Sequence, residues 1–178
     1  MKAIAFTGMP GAGKSEAVRV AEELGIAVVR MGDVVRNEAR KRGLELSDEN
    51  VGGLADEMRR EHGKDIWARK CLEELKGKDV VVIDGIRNIE EVEFFRRYIK
   101  NFILVAIHAS PRIRYERIAK RGRSDDTDSI EKMKERERRE LSWGLGSVIA
   151  MADVIIVNEG NLEEFREKIR QLLKENED

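Results

Sequence analysis

Gly8-Met9-Pro10-Gly11-Ala12-Gly13-Lys14-Ser15 is the stretch that decides the fold. It follows an apolar run, Ala3-Ile4-Ala5-Phe6-Thr7, and leads into a helix-period segment beginning at Lys14. The glycines let the backbone curl until consecutive N–H groups point inward, a shape that cradles an anion. The helix opening near Gly13 aims the positive end of its dipole at the same point. In that setting Lys14 reaches the outer phosphates of a triphosphate as a point charge, and Ser15 ligates magnesium. Strand, spacing, Lys-Ser and helix all stand in the order a phosphate-binding loop needs, which argues against an ordinary glycine-rich turn. Gly8, Met9, Pro10, Gly11, Ala12, Gly13, Lys14 and Ser15 are therefore expected to grip ATP with Mg2+.

Outward from this loop, short apolar runs alternate with helix-period segments. The runs Ala3–Thr7, Ala27–Arg30, Val80–Asp84, Phe102–His108 and Val154–Val157 read as strands covered on both faces. Helices are expected at Lys14–Leu24, Gly32–Arg42, Asp48–His62, Ile66–Leu75, Ile89–Ile99, Pro111–Arg121, Asp128–Leu141 and Leu162–Lys174. Such alternation means a parallel sheet with helices on both faces, a three-layer α/β fold. The 178 residues fit one domain, 1–178, with a full core.

Composition narrows the function classes. Hydrophobic residues make up 41% and charged ones 39%, so a folded chain is expected and disorder is not. The 34 basic and 35 acidic side chains nearly cancel, which advertises neither nucleic acid nor an anionic membrane. One cysteine, Cys71, excludes an intramolecular disulfide and Cys-based metal cages, and reads as a small buried hydrophobe. No leader-like N-terminal segment is seen and the apolar runs are too short to cross a bilayer, so a cytoplasmic place is expected. His62 and His108 have no ligand-type partners at metal spacing, and Trp67, Trp143, Met58 and Met133 fit packing positions.

Phosphoryl transfer needs a second anion site, and arginine suits it because its planar fork grips phosphate oxygens in pairs. Arg36 lies in the first turns of the helix after the second strand, and Arg87 just past the third strand, in Asp84-Gly85-Ile86-Arg87. Ligand crevices of open α/β sheets lie at those strand ends. Asp84, closing an apolar strand, is placed to hold magnesium through water. Either arginine alone reads as a solvated surface group; together, in register with the loop, they read as a site.

Gly32-Asp33-x-x-Arg36 resembles the Gly-Asp-x-Leu-Arg segment of adenylate kinases, and Asp84-Gly85-Ile86-Arg87 their Asp-Gly-Phe-Pro-Arg segment, one residue shorter. Arg123-Ser124-Asp125-Asp126 is similar to the Arg-Lys-Asp-Asp that closes their lid, with the longer lid insertion missing. Ala152 to Glu164 looks like the last strand, loop and helix shared with dephospho-coenzyme A kinases. The resemblance runs from Ala3 to about Leu172 and is nearest to an archaeal group described as adenylate kinase-related or dephospho-coenzyme A kinase-like. It implies a P-loop NTPase fold with strand order 2-3-1-4-5, an acceptor-binding helical region at residues 32–76 and a short arginine-rich lid at 117–127.

By the same resemblance Asp33, Arg36, Gly85 and Arg87 hold the acceptor phosphate. Glu91 stands near the place of a base-reading Gln and is expected either to read the acceptor base or to belong to an acidic helix face. Arg117, Arg121 and Arg123 are expected to stabilise the charge of the transferred group, with Arg136 as a further candidate. Arg112, Arg114, Arg138 and Arg139 read as solvated helix charges. The loop from Asn158 to Gly160 lies over the donor purine in such folds, while a cap by Asn161 explains the same residues.

The expected reaction is transfer from ATP to a nucleoside monophosphate, AMP-like, by an ATP-dependent nucleotide kinase. Two alternatives stand beside it: a hydroxyl kinase of the dephospho-coenzyme A type with Asp33 as base, and an ATPase switch working with RNA or a protein. No membrane partner is expected. The chain is expected as a monomer or a homodimer, with the stretch Trp143–Met151 as the dimer patch.

Overall fold

The computed structural model describes residues 1–121 and 127–176, without the side chains of residues 121 and 127–129. The order is β1 (Lys2–Thr7), α1 (Lys14–Glu23), β2 (Ala27–Arg30), α2 (Met31–Lys41), α3 (Asp48–His62), α4 (Ile66–Leu75), β3 (Val80–Asp84), α5 (Ile89–Tyr98), β4 (Asn101–His108), α6 (Pro111–Arg121), α7 (Thr127–Trp143), α8 (Leu145–Ala150), β5 (Val154–Val157) and α9 (Leu162–Glu175). The strands form one five-stranded parallel sheet in the order β2-β3-β1-β4-β5, flanked by helices, which is a P-loop NTPase fold.

Two-residue alternation along the strands splits the core into two layers. Ala3, Ala5, Val29, Val81, Ile83 and Leu104 face α2, α3, α4, α5 and α8. Ile4, Phe6, Val82, Val105, Ile107 and Ile156 face α1 and α9. The helices answer with apolar residues at helical spacing: Val92, Phe95 and Ile99 at the end of α5, Phe165, Ile169 and Leu173 on α9. Trp67 and Cys71 of α4 are fully buried in the first layer, and the Trp67 indole N–H donates to the Ala55 carbonyl at 3.2 Å.

Side chains set where several helices begin. Ser47, Asn88 and Asn161 each accept a hydrogen bond from the backbone N–H three residues on, capping α3, α5 and α9. At Gly8 a Cβ would stand 2.3 Å from the Ile107 carbonyl oxygen of β4, so only glycine lets the loop leave β1 this close to the sheet.

One expectation changes. The stretch expected as an exposed dimer patch contains α8, whose Leu145 and Val148 are buried in the core beside a partly buried Trp143, leaving Met151 as its exposed apolar end. Exposed apolar side chains lie instead on edge strand β5, at Ile155 and Val157. His62 and His108 are exposed.

Candidate active site

The loop between β1 and α1 sits at the carboxyl end of the sheet, with Gly13 in the left-handed region (φ 114°) as the N-cap of α1. A Cβ there would meet Asn158 Nδ2 at 2.3 Å, and Asn158 Nδ2 donates to the Ala12 carbonyl at 2.8 Å. Asn158 thus supports the loop from behind with its buried side chain, while Asn161 is the α9 cap.

Lys14 Nζ donates to the Gly8 carbonyl at 2.7 Å and the Met9 carbonyl at 3.4 Å, lying across the mouth of its own loop. Burial, followed by the charge of Arg87, pushes its ammonium down to about 8, against the opposing pull of Asp84 and Glu140. Ser15 is exposed at the first turn of α1. Asp84 ends β3 in register with Arg30 and Phe6, and its Oδ1 is buried without a hydrogen-bond partner. Magnesium fits these residues: an orphaned carboxylate oxygen close enough to Lys14 to act on its charge, with an accessible serine hydroxyl next to that lysine in the chain. Among the described residues no three acidic, His or Cys side chains gather into a metal cage.

Arg114, expected to be solvated, lies inside the protein. Its Nη1 donates to the Pro10 carbonyl at 3.2 Å, its Nε to the Ala109 carbonyl at 3.0 Å, and it pairs with buried Glu137 of α7. Tyr115 Oη donates to the other Glu137 oxygen at 2.7 Å. Burial lowers the Arg114 pKa below its ordinary value, against a smaller opposing pull from Tyr115. The corrected reading is a brace between the phosphate loop and α7.

Arg117 lies against the phosphate loop. Its Nη1 donates to the Gly11 and Ala12 carbonyls at 3.2 and 3.4 Å, and its Nη2 to the Asn158 carbonyl. These contacts join the loop to the residue just past β5. Arg121 ends α6 with its side chain undescribed, and Arg123 lies outside the described residues.

On the acceptor side, Arg36 and Asp33 pair with each other at 2.8 Å on the first turns of α2, both half-exposed. Asp33 and Asp84 both act on the Arg30 guanidinium, so the two carboxylates share one end of the sheet. Gly85 (φ 103°) turns the chain after β3, and a Cβ on it would come 3.7 Å from Arg87 Nη1. Arg87 then reaches Glu140 of α7, Nε to Oε2 at 3.0 Å, while Arg136 Nε bonds the other oxygen at 2.8 Å. Burial works against the charge of Glu140, yet Arg87, Arg136 and Lys14 together hold its carboxyl below the usual carboxylate range.

Glu91 is a correction. It is fully buried; Oε2 accepts the Arg87 backbone N–H at 2.7 Å and Oε1 pairs with Arg59 Nη2 at 3.0 Å. With both oxygens engaged inside the protein it reads no base, and its role is to fix the backbone that carries Arg87. The Arg59 guanidinium in turn lies 4.3 Å over the Trp143 ring, with Arg139 at 5.8 Å, and the indole N–H donates to Asp56 at 3.2 Å.

The structure therefore brings Lys14, Asp84, Arg87 and Arg136 around Glu140, a residue that sequence reasoning missed. Its one local signal was an i,i+4 pairing with Arg136, which on a charge-rich helix is indistinguishable from a surface pair.

A family profile described as an AAA domain matches residues 7–134. A UPF0200 protein of Methanosarcina mazei is 49% identical, over 97% of this chain and 94% of its own length. Another, from Methanothrix thermoacetophila, is 52% identical with 98% of each chain covered. The chain matches a UPF0200/UPF0201 protein of Archaeoglobus fulgidus at 53% identity but spans only 55% of that relative's length. Among solved structures, the shikimate kinase of Acinetobacter baumannii in complex with shikimate aligns at TM-score 0.59 and 22% identity, covering 99% of this chain and 95% of that one. A gluconokinase from Sinorhizobium meliloti aligns at TM-score 0.59 and 18% identity, covering 99% and 94%. At such identities the likeness is one of fold. By profile and by relatives spanning its full length, the chain belongs to the UPF0200 family and carries its AAA-type P-loop domain across residues 7–134.

Proposed function

We propose that this chain transfers the γ-phosphoryl group of ATP to a nucleoside monophosphate, the activity its resemblance to adenylate kinases implies. The observation that carries this reading is the meeting of two cationic groups from distant parts of the chain: Lys14 of the donor loop, and the Arg87–Arg136 pair bridged by Glu140. A donor grip alone needs no second pair of arginines beside it.

In this reading the loop N–H groups and Lys14 hold the β- and γ-phosphates, and Arg87 and Arg136 hold the acceptor phosphate in line. Arg36 extends that grip once it releases Asp33. An acceptor phosphate oxygen forms the new bond to the γ-phosphorus while the bond to the β–γ bridging oxygen breaks, leaving ADP. That oxygen is already anionic, so no general base is required. Ser15 and Asp84 would hold magnesium, which would supply charge neutralisation at the phosphates. The arginines stabilise the charge spread over the equatorial oxygens. The site takes small molecules. No helix among the described residues is long and apolar enough to cross a membrane.

A hydroxyl acceptor is the second reading, favoured by Asp33, a half-exposed carboxylate on the first turn of α2 able to take a hydroxyl proton. The likeness in fold to proteins named shikimate kinase and gluconokinase is in keeping with it. The test measures ADP and phosphorylated product from Mg-ATP with AMP, other monophosphates and dephospho-coenzyme A in turn. Rapid ADP formation that depends on a monophosphate supports the proposal. Product only with a hydroxyl acceptor selects the second reading. Acceptor-independent phosphate release, stimulated by RNA or protein, overturns both in favour of an ATPase switch.

A further inference from the structure

Glu140 is almost fully buried, yet it is flanked by Lys14, Arg87 and Arg136, cations contributed by α1, the turn after β3 and α7. Both arginines meet it through Nε, and no partner among the described residues hydrogen-bonds the Nη atoms of Arg136. Three cations stand against two carboxylates, Glu140 and Asp84, so the group carries one net positive charge where it would otherwise carry two. A carboxylate hydrogen-bonded to one guanidinium and ion-paired with a second presents what a phosphate presents to an arginine pair: two oxygens and negative charge.

We infer that Glu140 is a built-in counter-anion and specificity-determining residue of the acceptor half-site, occupying the Arg87–Arg136 pair and excluding small, highly charged anions until an acceptor able to displace it arrives. The half-site is named an acceptor site on the reading above, but the counter-anion itself is a matter of anion binding and stands apart from turnover. Its consequence is a gain of binding on mutation. Glu140→Gln keeps the shape and one acceptor oxygen while removing a charge about 3 Å from the arginines, so anions bind more tightly. A purely structural or orienting role predicts the reverse, since loosened arginines bind anions less well.

The experiment titrates inorganic phosphate and AMP, without ATP, into the full chain and its variants by calorimetry, with thermal melts to confirm folding. Glu140→Gln is expected to tighten phosphate binding by about tenfold, the effect of one lost opposing charge at this range. The double variant Arg136→Gln/Glu140→Gln is expected to return to wild-type affinity, which locates the gain at the arginine pair. Unchanged or weaker binding in Glu140→Gln overturns the inference. A gain that persists in the double variant also overturns it, because the anion then sits on the donor loop. If Glu140→Gln does not fold, Glu140→Asp, which retracts the charge by one methylene, is expected to show a smaller gain in the same direction, and no gain refutes the idea. Should no phosphoryl transfer be found with any acceptor, these titrations still decide the role of Glu140.

Discussion

Replacing Lys14 by methionine is expected to lower ATP-dependent turnover by about 10²- to 10³-fold while the protein remains folded. The lysine side chain lies across the loop mouth, hydrogen-bonded to the Gly8 and Met9 carbonyls. Methionine keeps the unbranched stem and removes the charge, so the loss falls on the phosphates. Circular dichroism and a melt separate this from unfolding; turnover within threefold of wild type would contradict the assignment. The same lysine makes nucleotide binding sensitive to pH. Its ammonium is held down to about 8 in the free protein, and bound phosphates draw the proton back. Binding therefore takes up a proton above pH 8, and the Kd for ATP is expected to rise as pH climbs from 8 toward 10, by up to about tenfold per unit. Below pH 7 lysine is already charged and this dependence vanishes. Lys14→Met is expected to lack the alkaline rise.

Arg114→Ala carries the largest expected effect on stability. It removes one member of a buried ion pair, strands Glu137 with Tyr115 as its remaining hydrogen-bond partner, and empties the space beneath the Pro10 carbonyl. Breaking such a pair costs about 3–5 kcal/mol, read as a lowered urea midpoint. Because the arginine braces the phosphate loop, ATP affinity falls with it. The paired change Arg114→Met with Glu137→Leu is expected to recover much of the stability, since both buried charges leave together, but not the lost support of the loop. Full recovery of both properties would show that the Pro10 contact does not matter.

These residues also mark how far the sequence could be read. The strands stand within a residue of their expected limits because each is a short apolar run between turn signals, and local chemistry decides such runs. The position of the loop, Asp84 and Arg87 at the carboxyl end of the sheet follows from the sequence for a similar reason: each lies within a few residues of a strand end. Helix α8 was missed because six residues are too short to display a helical period. Arg114, Glu137 and Glu140 were missed for a different reason. In Glu135-Arg136-Glu137-Arg138-Arg139-Glu140 charges fill every face of the helix, and only partners 23 to 104 residues away decide which of these arginines and glutamates turn inward. Glu91 went wrong in the opposite sense. Its position near a strand end suggested a ligand contact, but the Asn88 cap starts α5 in a direction that drives the carboxylate into the protein.

The two tryptophans have a consequence of an optical kind. Trp67 is sealed in the core with its N–H on a backbone carbonyl, so its emission has little reason to change while the fold persists. Trp143 lies beneath the Arg59 guanidinium, close to Arg139 and bonded to Asp56, one helical turn from Glu140. An indole's excited-state dipole responds to charges at such distances. The Arg59–Glu91–Arg87 chain of contacts leads from that ring to the backbone of an acceptor-side arginine. The chain therefore carries one constant lamp and one that answers to events at Arg87, an intrinsic signal of occupancy that needs no attached dye.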